Sequence, residues 1–96
     1  METVQFTGTN TNDRAVIRLN GASFVTLDSM TILNNDPSFS FSVHLTNGSS
    51  NNTIQNCHLE VDQTSTSSNH ANVGITGLSA TTTGNNGDEN KILNNE

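Results

Sequence analysis

One stretch of this chain is written twice and begun a third time. Val16-Ile17-Arg18-Leu19-Asn20-Gly21, followed by Val25-Thr26-Leu27-Asp28-Ser29-Met30-Thr31-Ile32, returns as Val43-His44-Leu45-Thr46-Asn47-Gly48 and Asn52-Thr53-Ile54-Gln55-Asn56-Cys57-His58-Leu59. A third pass opens at Val73-Gly74-Ile75-Thr76-Gly77 and closes at Asn90-Lys91-Ile92-Leu93-Asn94-Asn95. A period of roughly 20–50 residues signals stacked units, each of which covers its apolar face only by lying against its neighbour.

Within each pass the apolar residues alternate with period two in short bursts. Ile17 and Leu19, Val25 and Leu27, and Met30 and Ile32 mark the first pass; Val43 and Leu45, Ile54, and Cys57 and Leu59 mark the second. Val73 and Ile75, then Ile92, mark the third. Alternation over so few residues predicts strands with one buried face, and helical spacing is absent. Three short strands per pass, separated by Asn/Gly/Ser corners, describe one rung of an all-β parallel solenoid. Stacking puts Ile17 under Val43 under Val73, and Leu27 under Ile54 under Ile92, about 4.8 Å apart. These aliphatic residues, with Cys57, form the expected core. The predicted rungs span 16–42, 43–72 and 73–96, with 1–15 belonging to a preceding partial rung, in one domain over 1–96.

Ser29, Asn56 and Asn94 share one corner, where Asn tolerates the left-handed backbone of a sharp bend. Their side chains are expected to form a hydrogen-bonded ladder along the stack. Asn20-Gly21, Asn47-Gly48 and Gly77 mark the corner before it. Asn47-Gly48 also fits a two-residue hairpin and an antiparallel meander, although a meander has no need of a recurring sequence.

Composition narrows the function. Of 96 residues, 30% are hydrophobic and 12% charged, and the balance of Asn, Ser, Thr and Gly suits strands and turns rather than a disordered tail. The net charge of −6 supplies no basic patch for nucleic acid or anionic lipid. No run is apolar enough to insert in a membrane, and Met1-Glu2-Thr3 opens no signal peptide. Cys57 is the single cysteine, so neither an intrachain disulfide nor a cysteine zinc cluster is available. Because the chain stops inside a repeat at Asn94-Asn95-Glu96, it reads as a fragment of a longer protein whose export signal lies elsewhere.

The pattern Asn52-Thr53-Ile54-Gln55-Asn56-Cys57-His58-Leu59 resembles a rung of the right-handed parallel β-helix family, the pectate-lyase-like superfold. More narrowly, Asp13-Arg14-Ala15-Val16-Ile17-Arg18-Leu19-Asn20-Gly21-Ala22 and Val43-His44-Leu45-Thr46-Asn47 resemble repeats of large secreted bacterial surface proteins, often those exported by the type IX system. The resemblance covers the chain from about Asp13 onward. It implies a right-handed coil, a secreted or cell-surface location, and neighbouring rungs of a parent chain as the first partner. It does not imply one activity, since this fold carries lyases, hydrolases, adhesins and stalks. In such proteins the loops flanking the first-strand sheet wall a sugar cleft. Here Leu33–Ser42, Glu60–Asn72 and Leu78–Glu89 are the loops in that place, which makes carbohydrate the expected ligand class.

The candidate chemistry lies on the first strands. Alternation turns Arg18, His44 and Gly74 outward on successive rungs, placing a guanidinium beside an imidazole about 5 Å away. That pair suits an anionic sugar, with His44 as general base, or else is simply a solvated polar face. Lys91 is a further cation for ligand contact, although it falls on a second strand. Phe39 and Phe41 are read as extending the next strand inward rather than as an exposed platform.

Lyases that this chain resembles combine acidic calcium ligands with such a base. Here Asp28, Asp36, Asp62, Asp88 and Glu89 sit in turns or loops, too dispersed to specify a calcium site, so no cofactor is expected, calcium being the one their chemistry would suit. His58 and His70 lie on separate elements and define no metal site. The Thr triplets at 7–9, 64–66 and 81–83 fall in loops, and only Thr26 and Thr53 stack before Lys91 ends the rank, so ice binding is not expected. Two functions remain: a structural and surface-interaction module that contacts glycans through its loops, or a fragment of a polysaccharide lyase or glycoside hydrolase acting on an acidic polysaccharide.

Overall fold

The computed structural model describes residues 2–9, 14–61, 70–76 and 87–96. The loops at 62–69 and 77–86, with Asp62, Gly77 and two of the Thr triplets, lie outside the described residues, as does the side chain of His70. Among the described residues every regular element is a strand: β1 Glu2–Phe6, β2 Ala15–Asn20, β3 Thr26–Asp28, β4 Met30–Asn34, β5 Ser40–Thr46, β6 Thr53–Gln55, β7 His58–Glu60, β8 His70–Ile75 and β9 Lys91–Leu93.

These strands form three three-stranded sheets, ordered β2-β5-β8, β3-β6-β9 and β1-β4-β7, and every pairing is parallel. The chain visits the sheets in turn and meets its own equivalent strand one rung later. Ile17 pairs with Val43 and Val43 with Val73, while Leu27 pairs with Ile54 and Ile54 with Ile92. Asn47-Gly48 therefore turns a corner rather than closing a hairpin. Between-rung hydrogen bonds continue around the bends, as where Ser29 N–H donates to the Gln55 carbonyl at 3.1 Å and Asn56 N–H to that of Leu93 at 3.1 Å.

The buried aliphatic cluster is Leu19, Ile32, Val43, Leu45, Ile54, Cys57 and Leu59, with Ile17, Val25, Leu27, Met30 and Val73 packed against it. Burial is deepest in the middle rung because that rung is covered on both sides. Two residues expected in the core are not buried: Ile75 is 40% and Ile92 44% exposed, since they lie on the last described rung with no described strand beyond them. Phe41 is buried but does not belong to the aliphatic cluster, and its ring lies elsewhere, as shown below.

Corners repeat as faithfully as strands. Ser29, Asn56 and Asn94 have φ of 57°, 54° and 54°, the left-handed conformation that a tight bend imposes. The expected ladder of their side chains is replaced by a different arrangement. All three residues are exposed, and the amide of Asn56 and the hydroxyl of Ser29 both donate to the Asp28 carboxylate, at 3.2 and 2.8 Å. The amide ladder sits one corner earlier, at Asn52 and Asn90. Asn52 Oδ1 accepts the Val25 N–H at 2.9 Å and its Nδ2 donates to the Ala22 carbonyl at 3.0 Å. Asn90 repeats both bonds one rung up, to Asn52 N–H at 3.0 Å and to the Ser49 carbonyl at 2.8 Å. Left-handed positions aim their side chains at solvent here, whereas the extended residue before β6 or β9 aims its amide at the neighbouring rung's free backbone groups.

Three hydrogen bonds, from Gln55 Nε2 at 3.0 Å first and from Ser29 and Asn56 besides, hold the Asp28 carboxyl below the ordinary carboxylate range. A depressed folded value means that the contribution to stability is present above the ordinary carboxylate range. It is lost as pH falls through the folded value. A carbon-13 titration of the Asp28 carboxyl is expected to show a higher midpoint in Gln55→Ala than in the wild type. An unchanged midpoint would remove that bond from the account.

Candidate functional site

The outer face of β2-β5-β8 brings together two of the three sequence candidates. Arg18 pairs with His44 and His44 with Gly74, so the guanidinium-bearing and imidazole-bearing residues are register neighbours. Their environments differ. Arg18 is exposed, whereas His44 is only 2% exposed and does not face solvent as alternation alone predicts. Lys91 is remote from both in register: it is exposed on β9, opposite Thr53 in another sheet.

Three residues close over His44. Arg14, just ahead of β2 and 1% exposed, reaches across the sheet so that its Nη2 lies 3.4 Å from His44 Nε2 and donates to Thr76 Oγ1 at 3.3 Å. Thr76 follows β8 and lies 2.9 Å from the same imidazole nitrogen. The Phe41 ring meets the His44 ring edge-on, with centroids 5.3 Å apart at 82°, and Arg14 Cζ stands 4.3 Å from the Phe41 centroid. A Cβ on Gly74 would overlap Cε2 of Phe41, so the third rung leaves room for this ring by having no side chain there. Phe41 therefore covers the outer face rather than entering the aliphatic core, a correction to simple alternation.

Donor roles define the chemistry of the cluster. Guanidinium N–H groups only donate, so His44 Nε2 accepts from Arg14 and also from the Thr76 hydroxyl, whose oxygen accepts from Arg14 in turn. This arrangement matches a neutral imidazole with its proton on Nδ1, a tautomer assigned from the hydrogen bonds. Burial first, and the nearby charge of Arg18 second, lower the Arg14 pKa from its usual value, and a guanidinium still remains charged near neutral pH. The lone pair that a general base would use is engaged by two donors under an aromatic cover. The cluster is a brace that ties the first rung to the third, and Arg18 is the solvent-facing cation beside it.

A buried amide anchors the loop that delivers Phe41. Asn34 Nδ2 donates to the carbonyls of Arg14 at 2.7 Å and Phe41 at 3.1 Å, and its Oδ1 accepts the Gly8 N–H at 3.0 Å. A Cβ on Gly8 would overlap the Phe39 carbonyl, so the chain passes there with no room to spare. Asp36 Oδ1 orders the loop further by accepting the N–H groups of Ser38 and Phe39, both at 2.7 Å. Arg14, Thr76 and Asn34 had no sequence signal as functional residues, because each lies in a loop or at a strand end among many polar neighbours.

A second polar group lies at the edge of the third sheet. His58 is 3.6 Å from Glu60 and 3.8 Å from Glu96, bordering two shallow hollows of about 220 and 270 Å³. No group of three or more His, Cys, Asp or Glu among the described residues is placed to hold a metal ion. Comparison with protein-family models, curated proteins and solved structures finds no match for this chain.

Proposed function

We propose that the chain is a structural and surface-interaction segment of a right-handed parallel β-helix protein that works outside the cell. Its first partners are neighbouring rungs of the parent chain, and it contacts glycans through the loops beside β2-β5-β8. Parallel neighbours joined by long crossovers favour the right-handed coil. The sequence resemblance to secreted surface repeats supports the location.

One observation carries the choice of module over enzyme: the imidazole best placed for acid–base work is buried and engaged with Arg14 and Thr76. Catalysis needs that nitrogen within reach of a substrate proton. The remaining first-strand cation, Arg18, suits electrostatic contact with an acidic sugar at the rim and no more.

Turnover of an acidic polysaccharide by the full-length protein separates this from the lyase or hydrolase reading. At saturating polysaccharide, any such turnover is expected to be unchanged in Arg18→Ala and His44→Ala variants that remain folded. Loss of turnover in both folded variants would overturn the module reading and make these residues catalytic.

A further inference from the structure

Asn-Gly occurs three times in the chain, at 20–21, 47–48 and 86–87. In such a pair the glycine nitrogen can attack the asparagine's own side-chain carbonyl carbon, because no side chain stands beside that nitrogen. The bond that forms closes a five-membered ring, and the fold decides which pair is free to close it. Asn86 lies outside the described residues, so the comparison is between the other two.

Asn20 is held in β2 opposite Thr46, and the nitrogen that would attack it is engaged: the Gly21 N–H donates to the Thr46 carbonyl at 3.0 Å. Asn47 is exposed and follows β5 rather than lying within it. Among the described residues the Gly48 N–H has no acceptor. Asn47 and Gly48 have φ of 55° and 75°, and the Ser49 N–H closes their turn on the Thr46 carbonyl at 3.3 Å, a longer bond than the one at Gly21. The side-chain bond of Asn47, from Nδ2 to Asn20 Oδ1 at 3.1 Å, is exposed, so water replaces it at little cost.

Ser49 is fully buried and ties this corner to the first rung. Its Oγ lies 2.7 Å from the Leu19 carbonyl and 2.9 Å from that of Thr46, and it accepts the Ala22 N–H at 3.1 Å. A main chain lengthened between Thr46 and Ser49 cannot keep these contacts.

We propose that Asn47 is a self-modification site, where the chain deamidates unaided and, in the isoaspartyl form, unlocks the corner that joins the first rung to the second. The Gly48 nitrogen gives its proton to hydroxide and bonds to Asn47 Cγ; the Cγ–Nδ2 bond breaks and Nδ2 leaves as ammonia. Water then opens the ring. Cleavage at Cγ gives an aspartyl residue, and cleavage at the main-chain carbonyl carbon gives an isoaspartyl one, with the main chain routed through Cβ and Cγ. In sum a water is consumed and an ammonia released, with no change in oxidation state. The inference is independent of glycan contact.

Ageing of the purified chain at mildly alkaline pH, followed by peptide mass spectrometry with isoaspartate mapping, tests it. Asn47 is expected to convert at least about tenfold faster than Asn20, whose attacking N–H must first leave its backbone bond. The separated isoaspartyl form is expected to show a lowered urea midpoint. Asn47→Asp, which adds the charge without lengthening the chain, stays close to the wild type. Conversion of Asn20 as fast as Asn47 would overturn the proposal. So would conversion of Asn47 only in chains unfolded by urea, or an isoaspartyl form no less stable than Asn47→Asp.

Discussion

Ile54→Asp abolishes the cooperative fold. Ile54 is the central residue of the β3-β6-β9 column, between Leu27 and Ile92, and is 1% exposed. A carboxylate there loses its hydration among the aliphatic side chains of the described core, a cost of several kcal/mol or more. Small domains are stable by only about 5–15 kcal/mol in total, and a three-rung stack is small. Ile54→Val removes one methylene and is expected to cost about 1 kcal/mol, leaving the fold intact. Far-ultraviolet circular dichroism and urea melts of the two variants check this. Retained β-structure with a cooperative melt in Ile54→Asp would show that residue 54 is not inside the stack.

Asn34→Leu is the second large effect, and its origin is different. Leucine is near the size of asparagine and strongly apolar, so a purely hydrophobic account predicts stabilisation at a fully buried site. The hydrogen bonds predict the reverse. The substitution leaves the Gly8 N–H and the carbonyls of Arg14 and Phe41 without the amide that serves them. The Arg14 carbonyl keeps the Phe41 N–H at 2.9 Å, and each buried group left unpaired costs about 1–3 kcal/mol, so the loss is about 2–4 kcal/mol in total. Asn34→Asp keeps the acceptor for Gly8 but sets a buried carboxylate oxygen against the Arg14 and Phe41 carbonyls, so near neutral pH it is expected to be at least as destabilising as Asn34→Leu. Urea denaturation measures all three proteins. A loss below about 1 kcal/mol in Asn34→Leu would mean that water or a neighbour serves those backbone groups.

Because Asn34 holds the loop that places Phe41, its substitution also loosens the cover over His44. The stability of the scaffold and the closure of the first-strand face are thus one property. An enzyme would need that face open, and a stalk or adhesive module gains from having it locked. Arg14 contributes to the lock twice, through hydrogen bonds across the sheet and through the Phe41 ring, a cation–π contact worth up to about 2 kcal/mol when desolvated.

The stacking was legible in the sequence because the repeat writes it directly. Equivalent residues such as Ile17 and Val43, or Leu27 and Ile54, occupy equivalent places, and period-two alternation sets their direction. The left-handed corner at Ser29, Asn56 and Asn94 was legible for the same reason. What alternation cannot supply is what lies above a side chain. His44 points outward as read, and becomes buried through Arg14 and Thr76, which are distant in sequence and reach it by side-chain length. Phe41 escaped the pattern because its ring is drawn to the space above Gly74. Asn34 and Asn52 look like ordinary turn residues in an Asn-rich chain, and only the backbone groups facing them reveal their roles.

The in-register parallel stack carries every other conclusion, and nuclear Overhauser contacts in solution test it most directly. The account predicts methyl contacts from Ile54 to both Leu27 and Ile92, together with contacts linking Ile17, Val43 and Val73. Close Hα–Hα contacts between Leu45 and Ser50, the mark of an antiparallel hairpin across Asn47-Gly48, would contradict it.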